Sequence, residues 1–310
     1  MRVFVAGATG AIGRRLVPVL VHRGHEVAAM TRSPEKAAAV RALGAEPIVA
    51  DALDRARTVD AVVRAAPEVV VHQLTALATM RSLRKFDQEF AVTNRLRTEG
   101  TDNLLEGARR AGARRFVAQS YGGWTYAPGG AALKSEEDPL DPNPPRSQRR
   151  SLEAIIHLEQ AVTGTRAIEG VALRYGYFYG PGTSLAPDSE MLDLIRRRRL
   201  PIIGDGAGIW SFIHVDDAAA ATAAAIESGA PGIYNIADDH PMPVSEWLPG
   251  LARVLGAPPP RRVPLWVGRL AVGEAGVSMM TRARGMTNAK AKRELGWKPA
   301  QSLLATSPAR

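Results

Sequence analysis

The chain has 310 residues, 45% of them hydrophobic, enough for one large domain or two unequal ones around a substantial core. It has no cysteine, which excludes disulfides, Cys-ligated zinc and thiol nucleophiles, and no apolar run of about eighteen residues, so no membrane-spanning helix is expected. The formal charge is +9, but the arginine clusters at 109–110, 114–115, 146–150, 196–199 and 261–262 are dispersed and lack interleaved aromatics; a small-molecule substrate is expected, and neither nucleic acid nor membrane.

In chain order, Val3-Phe-Val-Ala6 reads as a strand buried on both faces. Gly7, Gly10 and Gly13 follow, then a helical pattern from Arg14 to His22 that ends near Gly24. Glycines let the backbone approach a ligand, and the free N–H groups of a helix start point at it. The expected ligand is a dinucleotide pyrophosphate. A chain that opens with this strand and loop is not expected to carry a cleaved leader, and the cytoplasm is the expected compartment.

Residues 25–30 read as the second strand. An NAD site usually places Asp or Glu after it, for the ribose 2′-hydroxyl. Here stands Thr31-Arg32-Ser33-Pro34-Glu35-Lys36. Arg32, helped by Thr31, Ser33 or Lys36, suits a 2′-phosphate, so NADP(H) is expected, with NAD(H) possible. The alternative puts Arg32 on a surface loop, with Ser33 capping the next helix.

Residues 35–43 are helical up to Gly44, and Pro47 to Ala50 form a short strand. The turn from Asp51 and Ala52 to Asp54 is expected to meet the adenine, unless Asp51 caps the helix at 55–65. Residues 69–76 read as a strand whose end, Leu74, Thr75 and Ala76, lies beside the pyrophosphate and ribose. His72 reads as a packed strand residue. A long helix is predicted over 87–111. Next come a strand at 115–120 carrying Gln119 and Ser120, and an exit loop from Tyr121 to Tyr126. The Pro- and charge-rich stretch 128–150 reads as a long surface loop or flap. A helix capped by Ser151 is predicted over 151–162, and a strand over 171–178 with Tyr175 and Phe178 lining the cofactor. Helices at 188–199, from Asp216 and at 245–255 then alternate with short strands at 200–203, 210–214 and 232–236, before a looser helical remainder.

Several segments together resemble one family: Gly7-Ala-Thr-Gly-Ala-Ile-Gly13, Leu173-Arg174 through Tyr179-Gly-Pro-Gly182, Phe212-Ile-His-Val-Asp-Asp217, Tyr234-Asn235 and Glu294-Leu-Gly-Trp-Lys-Pro299. The chain resembles an extended short-chain dehydrogenase/reductase of the NAD-dependent epimerase/dehydratase family. The resemblance implies an α/β fold, a Rossmann-type doubly wound parallel sheet with a smaller substrate-covering region. Residues 1–180, with 212–238 returning, would form the dinucleotide-binding part, and 181–211 with 239–310 the cap. It also implies that Gly7, Thr9, Gly10, Ala11 and Ile12 line the cofactor, and that helices matching 87–111 and 151–162 pair in a homodimer.

The family's catalytic Tyr-x-x-x-Lys is absent, because no tyrosine here is followed four residues later by lysine. Anchoring on His157-Leu-Glu-Gln160 puts Ser151 in the tyrosine's place and Ile155 in the lysine's, while the family's serine falls near Tyr121. Tyr121 is the best replacement acid, oriented by Ser120, with Tyr126, Tyr177 and Lys134 in reserve. In nucleotide-sugar members an Asn stands at Tyr177, and an Arg stands in the Trp210-Ser-Phe212 segment. These exchanges predict a largely apolar substrate contacted by Tyr126, Tyr177 and Trp210. The expected activity is NADP(H)-dependent hydride transfer to or from a carbonyl or activated alkene. A catalytically silent NADP-binding sensor, or an epimerase or dehydratase with tightly held cofactor, are the alternatives.

Overall fold

The computed structural model describes residues 1–77 and 83–304. Seven parallel strands form the central sheet: β1 (Arg2–Ala6), β2 (Glu26–Thr31), β3 (Glu46–Val49), β4 (Val69–His72), β5 (Arg115–Tyr121), β6 (Glu169–Tyr175) and β7 (Gly232–Ile236). Their order is β7-β6-β5-β4-β1-β2-β3, so the winding reverses between β1 and β4. That reversal opens a crevice at the carboxyl ends of the strands, where ligands bind in such sheets.

Alternate residues of each strand feed opposite layers, as a period of two requires. Val3, Val5, Val71, Val117 and Leu173 pack against α1 (Gly13–His22) and the alanine-rich helix Val215–Glu227. Phe4, Ala6, Val70 and Phe116 pack on the other face, with Val62, Leu104 and Leu158 from the helices Arg55–Ala65, Thr101–Arg110 and Arg149–Thr163. A separate core gathers Leu192, Ile195, Ile202, Phe212, Trp247, Leu251 and Met280 from the later chain.

Five expectations need correction. The strand expected over 69–76 ends at His72; Gln73 still donates to Ala6 O (2.8 Å), and the chain then leaves the sheet. The strand expected over 171–178 breaks at Gly176, where a Cβ would lie 2.3 Å from Ser211 O, and Tyr177–Tyr179 pairs instead with Phe212–His214. The helix expected over 87–111 comes in pieces, Phe86–Glu89, Ala91–Arg95, a π-turn at Leu96–Gly100 and then Thr101–Arg110. Ser151 caps nothing, because its helix begins at Arg149; the Asp87 carboxylate accepts from the amides of Arg150 and Ser151 (3.1 and 2.9 Å) and from Ser151 Oγ (2.6 Å). Finally, the 128–150 stretch is not a free flap: Leu133–Lys134 pairs with Gly285–Met286, and Glu136 accepts from Asn235 N at 2.7 Å.

Candidate active site

The loop after β1 is a cradle only glycine can build. Gly7 has φ +98°, and a Cβ on it would sit 2.7 Å from Gln73 O; one on Gly13 would sit 2.3 Å from Gly7 O. Gly10 closes the turn by donating to Gly7 O at 3.0 Å, and the amides of Ala11 and Ile12 have no acceptor among the described residues. Arg14 donates to Thr9 O (2.8 Å) and Arg15 to Ala11 O (2.9 Å), which tie the loop to the first turn of α1. The tight glycine packing and the free amides at the start of α1 fit a dinucleotide pyrophosphate.

At the ribose end, Arg32 and Lys36 are exposed and have no ion-pair partner among the described residues. Ser33 makes no capping bond; its hydroxyl donates to Glu35, and its amide donates to Thr31 Oγ1 (3.3 Å). Asp54, not Asp51, caps the helix at 55–65. Asp51 accepts from Leu53 N at 3.0 Å, and Asn103 ties down the neighbouring Ala52 through its carbonyl (2.8 Å). Leu74 and Ala76 are half-buried and Thr75 is exposed along the crevice, while Gln119 is half-buried near the end of β5.

Several proposed site residues are committed elsewhere. Tyr175 is fully buried, with its hydroxyl on Thr222 (2.6 Å) behind the sheet, so it lines core and not cofactor. Phe178 is half-buried and packs on it at 5.3 Å. Ser120 donates to Glu159 (2.6 Å) and is not available to orient Tyr121. Arg174 donates to the same carboxylate from Nε (2.7 Å) and Nη2 (2.6 Å), and from Nη1 to the Tyr126 hydroxyl (2.9 Å), which donates to Asn235 Oδ1 (2.6 Å). Tyr126 is therefore a buried joint in this network and no substrate contact; burial raises its hydroxyl to about 12. Lys134 is likewise buried, bonded to Gly129 O (2.6 Å) and Asp138 (3.3 Å).

Tyr121, Tyr177 and Trp210 do come together. Trp210 stacks on Tyr177 with centroids 3.9 Å apart and an interplanar angle of 10°, and Tyr121 meets Tyr177 edge-on at 5.8 Å. Trp210 Nε1 donates to Met279 O (2.8 Å), which fixes the indole plane. The bare Gly123 makes room for the phenol, since a Cβ there would lie 2.6 Å from Tyr121 Oη. Burial drives the Tyr121 hydroxyl well above the usual phenol range, opposed by Tyr177 and by the charge of Arg97. The group is a neutral O–H donor, flanked by an aromatic wall.

Arg97 is the residue that sequence reasoning missed. It lies on the π-turn, is only 4% exposed, and its Nη1 has no hydrogen-bond partner. Its signal was legible: the buried positions Phe86, Phe90, Thr93, Arg97, Gly100, Leu104 and Ala108 recur at helical spacing, and one of them is a lone cation. His72 supports the turn. Its Nδ1 accepts from Leu74 N (3.2 Å), so Nε2 carries the hydrogen and donates to Leu96 O (3.2 Å). Burial pushes His72 down to about 4, so it stays neutral and serves as a wedge, as a packed strand residue should.

A doubly wound sheet with a glycine cradle at its switch point defines a Rossmann-type dinucleotide enzyme. Residues 3–237 match the model of the NAD dependent epimerase/dehydratase family, and the chain belongs to that family. It is 46% identical over 300 residues to 3-diazoavenalumate denitrifying reductase from Streptomyces sp, with 96% of each chain covered. It is 28% identical over 269 residues to 2-alkyl-3-oxoalkanoate reductase from Stenotrophomonas maltophilia, covering 83% of this chain and 77% of that one. Among solved structures, UDP-glucose 4-epimerase from Thermus thermophilus, in complex with NAD, matches with a TM-score of 0.72 at 26% identity, covering 98% and 96% of the two chains. The Thermotoga maritima UDP-glucose 4-epimerase shares the fold, with a TM-score of 0.77 at 22% identity and coverage of 98% and 95%. The protein is an oxidoreductase enzyme of this family, and the family works with nicotinamide cofactors.

Proposed function

We propose that the protein is an NADP(H)-dependent reductase that replaces the diazonium group of a flat, conjugated, acidic substrate by hydrogen and releases dinitrogen. The observation that carries this reading is that Tyr121, the candidate acid, has no cation in hydrogen-bond contact among the described residues; Arg97 acts on it only through its charge. Tyr121 is a neutral phenol, Ser120 is bonded to Glu159, Ser151 to Asp87, and Ile155 lies in the hydrocarbon of Phe86, Phe90 and Trp124. Reduction of a carbonyl generates an alkoxide that an acid must protonate. Replacing a diazonium group by hydrogen takes up one hydride and expels N2, so charge balances with no proton from the protein. The reduced nicotinamide, when bound, supplies that hydride. The relative with 46% identity is named as a denitrifying reductase of 3-diazoavenalumate, a diazo compound, which supports this chemistry. The Tyr177–Trp210 stack supports a planar substrate.

The test is to supply NADPH with a diazotised amino-hydroxycinnamate carrying labelled nitrogen, and to follow labelled dinitrogen against NADPH oxidised. One dinitrogen per NADPH is expected. Tyr121→Phe should keep most of this turnover, whereas an enzyme relying on Tyr121 as general acid would lose about 10²–10⁴-fold. No dinitrogen, together with turnover of a ketone that Tyr121→Phe abolishes, would replace this reading by carbonyl reduction.

The 2′-phosphate preference rests on Arg32 and Lys36, free cations in the turn after β2 with Thr31 and Ser33 beside them. Charge-assisted bonds of this kind contribute about 1.5–3 kcal/mol. Arg32→Ala should therefore weaken NADPH binding about 10- to 100-fold and leave NADH binding nearly unchanged. Equal weakening of both cofactors in a fluorescence titration would remove Arg32 from phosphate recognition.

A further inference from the structure

We propose that Arg97 is an anion anchor in the substrate site: its guanidinium takes an anionic oxygen of the substrate, a carboxylate or an ionised phenol, and so selects acidic aromatic molecules. The inference deepens the reductase reading and rests on it for the place of the substrate, though not for the group that reacts.

A buried guanidinium normally has its counter-charge in hydrogen-bond contact, because an isolated interior charge is strongly disfavoured. Arg174 shows the normal case, with Glu159 on two of its nitrogens. Arg97 does not. Glu159 and Tyr121 are near enough to feel its charge, but Glu159 already accepts from Ser120 and twice from Arg174, and Tyr121 is neutral. Also near Arg97 among the described residues are the Phe90 ring, whose centroid lies 6.0 Å from the guanidinium carbon, and the neutral imidazole of His72. Burial pulls the Arg97 guanidinium down to about 10, so it remains a cation at neutral pH with one buried N–H bonded to nothing.

Its position suits a ligand contact. His72 ends β4 and Tyr121 ends β5, so Arg97 stands at the carboxyl end of the sheet, beside the aromatic wall. It lies on the π-turn Leu96–Gly100, and such turns are frequent at functional sites. A guanidinium matches a carboxylate with two parallel N–H bonds and a phenolate with one.

The test is binding to the NADP+-loaded protein of para-hydroxycinnamate, its methyl ester and its methyl ether, by tryptophan quenching and calorimetry. The ester reports a carboxylate contact and the ether a phenolate contact. In the wild type, one of the two neutralised analogues should bind at least about tenfold more weakly than the parent. Arg97→Met should lose about 10- to 100-fold for the parent, bind all three alike, and keep its affinity for NADPH; Arg97→Lys should recover part of the loss. The melting temperature of Arg97→Met should equal or exceed that of the wild type, because a buried uncompensated charge is removed. Parent binding unchanged in Arg97→Met, or no discrimination by the wild type together with a lowered melting temperature in Arg97→Met, makes Arg97 a scaffold group and overturns the proposal. If the binding ratios hold but no dinitrogen is ever released, the anion anchor stands and only the diazo reading falls.

Discussion

Replacing Glu159 by alanine will destabilise the protein by about 3–5 kcal/mol, the usual consequence of stripping one partner from a buried ion pair. Both side chains of the Glu159–Arg174 pair are 5% exposed and 2.6 Å apart at their closest atoms. The guanidinium is held strongly charged: burial lowers its pKa, but the Glu159 bonds and charge raise it further, well above the ordinary arginine value. Without the carboxylate, Arg174 keeps only Tyr126, and Ser120 loses its acceptor as well. The damage will spread along Tyr126 to Asn235, which joins β7 to the 128–150 stretch. The double variant Glu159→Leu with Arg174→Met should recover most of the loss, since no charge is then left unpaired. Urea denaturation of the three proteins measures this directly. A single variant within about 1 kcal/mol of wild type would mean that water reaches Arg174 and that the network is not the joint described here.

The second large effect is at the cofactor cradle. Gly13→Val will weaken binding of the nicotinamide cofactor by about a hundredfold, with little protection by added cofactor against heat. A Cβ at Gly13 meets Gly7 O at 2.3 Å, Ala8 Cα at 2.6 Å and Ala8 C at 2.7 Å, all backbone atoms of the turn itself. None can yield without moving the amides of Ala11 and Ile12. Gly24→Ala is the control. It carries a backbone cost at φ +78° that Gly13 does not, but its Cβ meets nothing within 4 Å and it stands at the far end of α1. Gly24→Ala should lose about 1 kcal/mol of stability and keep its cofactor affinity. Equal loss of affinity in both would show that the effect is general destabilisation.

The parts of the molecule that were legible in the sequence are those set by local rules. Val3 to Ala6 had to be a two-sided strand, and the glycines after it had only one good use. The alternation of strands and helices then implied the parallel sheet. What local rules could not show is where two segments distant in the chain share a group. Ser151 has the right chemistry for a cap, but Asp87 reaches its helix from 64 residues away and takes the task. Tyr126 and Ser120 carry hydroxyls suited to a site, yet Arg174 and Glu159 had already claimed them. Pro128 to Arg150 lacks periodicity because its order comes from a two-residue strand pairing with Gly285–Met286. Arg97 escaped notice for a different reason. A single arginine in an arginine-rich chain attracts no attention, and only its place on the buried stripe marks it.

The cap that Asp87 provides also decides which changes are still open to this chain. Tyrosine and lysine placed at 151 and 155 would not fit the present packing. The phenol would displace a hydroxyl that now completes the start of its helix, and the ammonium would be forced among Phe86, Phe90, Leu152 and Trp124, where residue 155 is 1% exposed. Each substitution alone is expected to lower stability. Installing that pair would have to begin by rebuilding the scaffold around Asp87 and Phe86. Substitutions are therefore expected to be tolerated at the aromatic wall rather than at positions 151 and 155.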